Sequence, residues 1–199
     1  MKLSKVLFSV AMTVMMLFSV AVSASPKKLV LGFAQIGAES GWRTAETGSI
    51  KAAAKAQGIT LKFSDAQQKQ ENQIKALRSF IAQKVDVIAL APVVESGWDT
   101  VLQEAKKAKI PVIIVDRTIN VKDESLYATF VGSDFPLEGK NAAIEMAKLL
   151  NNTGNIVELQ GTVGSSAQVD RLKGFADEIA KYSIISGVTG MEELVVPSV

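Results

Sequence analysis

The chain has 199 residues, 48% of them hydrophobic, with 22 Lys and Arg against 20 Asp and Glu and neither His nor Cys. Lack of Cys excludes disulfides, thiolate metal sites and a lipid-modified cysteine anchor, and lack of both residues removes the commonest general base and the thiol nucleophile. No cofactor and no metal are expected. Two of the lysines, Lys2 and Lys5, fall in an apolar leader, so the remainder balances 20 basic against 20 acidic side chains and offers no basic face to nucleic acid.

Residues 1–24 read as a secretory signal peptide. Lys2 and Lys5 make a positive start, residues 7–22 are nearly all apolar, and Val22-Ser23-Ala24 offers small side chains for cleavage. The apolar run is short for a bilayer span and has a cleavage site behind it. The compartment implied is the periplasm. The 199 residues less these 24 leave 175, enough for one ordinary core, or for one domain and part of another.

Beyond the leader, strand and helix signals alternate. Residues 29–33 are an apolar strand that runs into a polar loop, 35–40, and the loop ends in Gly41-Trp42-Arg43, where a helix over 42–57 begins. That helix closes at Gly58, a C′ glycine. Residues 59–63 alternate as a strand. A helix over 70–83 puts Ile74, Leu77, Phe80 and Ile81 on one face, with the run Gln67 to Gln73 as its solvated start. Residues 86–90 and 111–115 are short apolar runs of the kind found in buried parallel strands, separated by a helix over 98–108. Then follow a strand at 127–131, a helix over 136–150 with Pro136 in its first turn and Asp134 as cap, a strand at 156–159, a helix over 167–181 and a strand at 183–186.

Repeated βα units with short loops predict an α/β fold, a Rossmann-like doubly wound parallel sheet with helices on both faces. The polar stretch 120–127 interrupts the tight units, so the expected organisation is an N-terminal lobe over 26–130 and a partial second lobe over 131–186. The tail 187–199 shows no helical period and no cap. A second sheet of about two strands leaves open edges and a bare apolar face, and the chain reads as truncated or frameshifted.

Chemistry concentrates at the carboxyl ends of these strands, where open α/β sheets bind ligands. Trp42 and Arg43 offer an indole face for a sugar ring and a forked donor for hydroxyl oxygens; a half-buried helix-start Trp with a solvated Arg is the alternative. Asp116-Arg117 follows a buried strand, and an acceptor beside a donor can pair neighbouring hydroxyls in both directions. A local ion pair would place them there too. Asp170-Arg171 follows the loop 161–166, which has the look of an anion cradle but lacks both the GxGxxG and the Walker pattern; it also reads as a plain Ser-capped helix start. Glu39, Asp65 and Asp116 could converge, though no spacing fixes a distance between them.

Taken together, Gly32 to Glu46 (GFAQIGAESGWRTAE), Asp65 to Ile74 (DAQQKQENQI), Ala91 to Trp98 (APVVESGW), Val115 to Thr118 (VDRT) and Val157 to Arg171 (VELQGTVGSSAQVDR) resemble the sugar-binding type I periplasmic binding proteins of ABC transporters, the ribose-binding-like group. The likeness runs in order from about Lys28 to Ser186 and is nearest to the galactofuranose-binding members. It implies two Rossmann-like lobes with a monosaccharide, galactofuranose or a similar sugar, clamped between them, and delivery to the permease subunits of an importer. By the family pattern the ligand contacts fall on Glu39, Ser40, Gly41, Trp42, Arg43, Asp116 and Arg117 in the first lobe and on Arg171 in the second. Family members continue for more than a hundred residues past this end, so weak binding or none is expected of the chain itself. The expected state is a monomer, not an enzyme. A receptor that presents a sugar or an autoinducer to a membrane sensor would share the lobes. A sugar-responsive repressor would need a helix-turn-helix where the leader stands.

Overall fold

The computed structural model describes residues 27–182 and the strand Ile185–Met191. The leader over 1–24, the start of the strand expected from 183, and the end of the tail lie outside the described residues. Thirteen elements follow in chain order: β1 (Val30–Gln35), α1 (Gly41–Ala56), β2 (Thr60–Asp65), α2 (Gln70–Ala82), β3 (Val87–Leu90), α3 (Asp99–Lys107), β4 (Val112–Asp116), a short 3-10 turn (Glu124–Leu126), β5 (Thr129–Gly132), α4 (Phe135–Leu149), β6 (Gly154–Leu159), α5 (Ser166–Ile179) and β7 (Ile185–Met191).

The first five strands form one parallel sheet in the order β2-β1-β3-β4-β5. The register runs from Val30 opposite Thr60 to Gln35 opposite Asp65 on one side, and Asp116 pairs with Gly132 on the other. The sheet is covered on both faces, as the apolar runs of its central strands require. On one face Leu77 and Phe80 of α2 and Val101 and Leu102 of α3 pack on Ala34, Ile88, Leu90 and Ile114. On the other, Ile50 of α1 packs with Leu31, Phe33, Ala89 and Val115. The expected doubly wound α/β architecture is therefore present. Chain order reverses between β1 and β3, and that switch point opens a crevice at the strands' carboxyl ends.

A second parallel sheet pairs β6 with β7. Residues 187–191, read from sequence as an irregular tail, continue β7 instead, with Val188 opposite Ile156 and Met191 opposite Leu159. The backbone bonds of this ladder and the β-branched residues at 185, 188 and 189 suit extension without any helical period. Helices α4 and α5 close a smaller core of Ala143, Ala147, Ile156 and Ile179. They touch backbone to backbone, because a Cβ at Gly139 would stand 2.1 Å from Arg171 O and one at Gly174 2.1 Å from Pro136 O. The Asp134 carboxylate caps α4 by accepting from Leu137 N, as the sequence predicts. Two bonds tie the parts together: Glu95 N donates to Gly164 O (3.1 Å), and Thr118 N donates to Ser166 Oγ (2.8 Å).

Candidate functional site

The loop after β1 ends at Ser40, whose hydroxyl accepts from Arg43 N (3.1 Å) and starts α1. That cap sets the direction of the first turn. Gly41 and Trp42 face solvent, with Trp42 59% exposed, while Arg43 turns inward and is 3% exposed. An arginine at a helix N-terminus sits against the macrodipole, so something must compensate it. Three carboxylates do. Nε donates to Glu39 Oε1 (3.1 Å), Nη1 to Glu46 Oε2 (2.6 Å) and Nη2 to Asp116 Oδ2 (2.7 Å). Burial lowers the Arg43 pKa, but the bonds and charges of Asp116 and Glu46 outweigh it and leave it raised.

Asp116 reaches Arg43 because the backbone bends sharply there. Its φ is 65°, and Arg117 N donates back to Val115 O (2.8 Å). This is a γ-turn with a positive central φ, a strained form that Asp tolerates better than most residues. The turn throws the Arg117 side chain beside the cluster, 3.9 Å from Asp116 Oδ2 and 4.0 Å from Glu39 Oε1, with Nη1 donating to Val93 O (3.3 Å). Burial, then the like charge of Arg43, lowers the Arg117 pKa. Arg43 and Arg117 against Glu39, Glu46 and Asp116 leave a formal charge of about −1.

Across the crevice, Arg171 projects from α5. Its Nε donates to Glu138 Oε2 (2.7 Å), and its guanidinium lies 4.5 Å from the centroid of the Phe135 ring. Arg117 and Arg171 line one cavity of about 260 Å³, with Glu158, Gln160, Thr162 and Gln168. Glu158 Oε2 is buried there and has no hydrogen-bond partner among the described residues. The structure thus brings together Glu39, Ser40, Trp42, Arg43, Asp116 and Arg117; the Arg43 guanidinium stacks 4.9 Å from the Trp42 ring. Of the predicted residues, Arg117 and Arg171 line the cavity itself. Asp65 does not converge with Glu39 and Asp116: it accepts from Gln67 N at the far edge strand. The loop 161–166 is a capped helix start, since Ser165 Oγ accepts from Gln168 N and donates to Thr162 O.

Sequence reasoning missed two buried glutamines. Gln35 Nε2 donates to Glu46 Oε2 (3.0 Å) and Thr47 Oγ1 (2.9 Å), and its Oε1 accepts from Ile36 N (2.9 Å). Gln73, read as part of a solvated helix start, is fully buried; it donates to Ala34 O and Ala91 O and accepts from Val93 N. The available signal was position: Gln73 lies one turn before Leu77, on the apolar face of α2.

The family model for the periplasmic binding protein domain matches residues 31–196. The galactofuranose-binding protein YtfQ of Escherichia coli K12 is 59% identical over 152 residues, which cover 76% of this chain and 48% of that protein. A crystal structure of a galactofuranose binding protein superposes with a TM-score of 0.80 at 55% identity, over 82% of this chain and 56% of that one. The binding protein of the arabinose ABC transporter from Shewanella sp. ANA-3, bound to α- and β-L-arabinofuranose, superposes with a TM-score of 0.79 at 55% identity, over 82% and 54%. The chain spans about half the length of the curated relatives it matches.

Proposed function

This chain belongs to the periplasmic binding protein family, and from that premise we propose that it takes a neutral monosaccharide, galactofuranose or a similar sugar, into the crevice between its two parts. The observation that carries this reading is one cavity shared by Arg117, from the end of β4, and Arg171, from α5. Guanidinium groups on both walls donate to ring and hydroxyl oxygens, and the open Glu158 Oε2 accepts from a hydroxyl. Carboxylates already balance the guanidinium groups of the first wall, which favours an uncharged, polyhydroxylated ligand over an anion. Trp42, exposed beside Arg43, offers the part of its ring that the guanidinium leaves open to an apolar sugar face. The expected boundary at 130 falls inside β5, so the part through β5 and the part from α4 onward act as the two jaws, and closure is a hinge motion. In the intact system the partners are the permease subunits of an ABC importer, met in the periplasm after the leader is removed, and the binding protein is a monomer.

Titration calorimetry and Trp fluorescence with D-galactose, L-arabinose and D-fucose test this. Trp98 is buried and Trp42 exposed, so quenching or enhancement on titration reports on Trp42. The expected result is a saturable signal for at least one of these sugars, in the micromolar range or weaker, that disappears in Arg117→Ala and Arg171→Ala. No saturation with any of the three at millimolar concentration overturns the proposal.

A further inference from the structure

We propose that Gln35 and Glu46 are positioning residues that fix the guanidinium plane of Arg43 at the crevice. The inference rests on the sugar-binding reading only for its functional consequence; the positioning itself is a property of the folded chain. Arginine has five N–H donors. Arg43 spends three of them on Glu39, Glu46 and Asp116, which leaves one N–H on Nη1 and one on Nη2, beside the wall that Arg117 lines. Where those two point depends on rotation about the last side-chain bonds. Glu39 lies in a loop, and Asp116 ends β4 at a sharp turn. Glu46 is different: it sits within α1, one turn beyond Arg43.

A glutamate on a helix still has free torsions, and here Gln35 removes them. Its amide nitrogen donates to the same oxygen, Glu46 Oε2, that accepts from Arg43 Nη1. Gln35 is in turn held at both ends of its amide, by Ile36 N on the oxygen and by Thr47 Oγ1 on the nitrogen. Its orientation is therefore settled by the bonds: the oxygen must face the backbone N–H, and the nitrogen must face the carboxylate. Gln35 is the last residue of β1 and is fully buried. The rigid sheet thus sets Gln35, Gln35 sets Glu46, and Glu46 sets Arg43. Supporting-shell bonds of this sort hold a binding group within the narrow geometric tolerance that recognition needs.

The chain contains only four arginines. Arg78 and Arg171 are about half exposed, whereas the side chains of Arg43 and Arg117 are 3% and 11% exposed. Nitrogen-15 NMR of arginine-labelled protein therefore reads Arg43 directly, with Arg43→Lys identifying its signals. Expected in the wild type are separate, slowly exchanging Nη resonances for Arg43. In Gln35→Leu and in Glu46→Gln these should coalesce or exchange at least tenfold faster, with Arg117 unchanged, and affinity for D-galactose or L-arabinose should fall about tenfold. Arg43 resonances unchanged in both variants would overturn the proposal and reduce the pair to supports of the helix start. Arg43 resonances that respond as expected, in a wild-type chain that takes up none of the sugars, would uphold the positioning and overturn the sugar reading instead.

Discussion

At the residue scale, the site is organised by buried polar side chains that a solvent-facing reading of the sequence passes over. Gln73 joins the carboxyl ends of β1 and β3: it donates to Ala34 O and Ala91 O, and its own oxygen accepts from Val93 N, whose carbonyl receives Arg117 Nη1. Replacement by Leu keeps the volume and removes all three bonds. Val93 N then has no acceptor, and each buried group left open costs about 1–3 kcal/mol. Gln73→Leu should therefore lower the unfolding free energy by roughly 2–4 kcal/mol in urea titration, and it should weaken sugar binding through Arg117. A loss below about 0.5 kcal/mol would show that water replaces the amide. These residues of the site were legible because they stand beyond the carboxyl ends of strands: Asp116 and Arg117 close the apolar run of β4, and Trp42 and Arg43 follow β1 after a short polar loop. Their partners were not. A Gln or Glu inside a helix or at a strand end carries the same pattern whether it is solvated or closes a network, and the distinction appears only when a third segment arrives.

At the scale of elements, periodicity located the strands and helices from β1 to α5 to within a residue or two, because short loops and buried parallel strands leave little freedom, whereas β7 runs five residues beyond the expected strand end at 186. What it missed was contact between elements. Helices α4 and α5 cross at Gly139 and Gly174 with no room for a side chain, and nothing in either glycine's neighbourhood announces this. In Gly139→Ala the new Cβ would meet the Arg171 carbonyl oxygen at 2.1 Å. Backbone cannot give way as a flexible side chain can, so the helices must separate. The cost should be at least about 1–3 kcal/mol, a drop of roughly 3–10 °C in the melting temperature for a domain of this size. Because Gly139 packs on the backbone of Arg171 itself, sugar affinity should fall with stability. Gly48→Ala on α1 is the control: nothing stands within 4 Å of its added Cβ. It should stabilise the chain by about 0.5–1 kcal/mol through helix propensity alone. Circular dichroism melts of the two variants should move in opposite directions, and equal shifts would mean that α4 and α5 are not in backbone contact in solution.

At the scale of the whole molecule, the joint between the two parts carries a built-in repulsion. Glu95, on the loop after β3, is tied to the second part by its N–H on Gly164 O. Its carboxyl pKa is raised by burial and then by the charge of Asp170 on α5, and the Asp170 pKa is raised by burial and then by Asp134. A carboxyl whose folded pKa lies above its unfolded value binds protons more readily when folded. It destabilises the fold above the folded pKa, and that penalty fades as pH falls towards the unfolded pKa near 4. Both groups are only partly buried, so screening holds the effect of each below about 1 kcal/mol. Glu95→Gln keeps the shape and deletes the charge. It should raise the melting temperature at pH 7, by roughly 1–3 °C, and the gain should vanish as the pH approaches about 4, where the wild-type carboxyl is itself neutralised. An increment of the same size at both pH values would mean that the side-chain amide makes a new contact, and that charge across the joint does not set how readily the two parts come together.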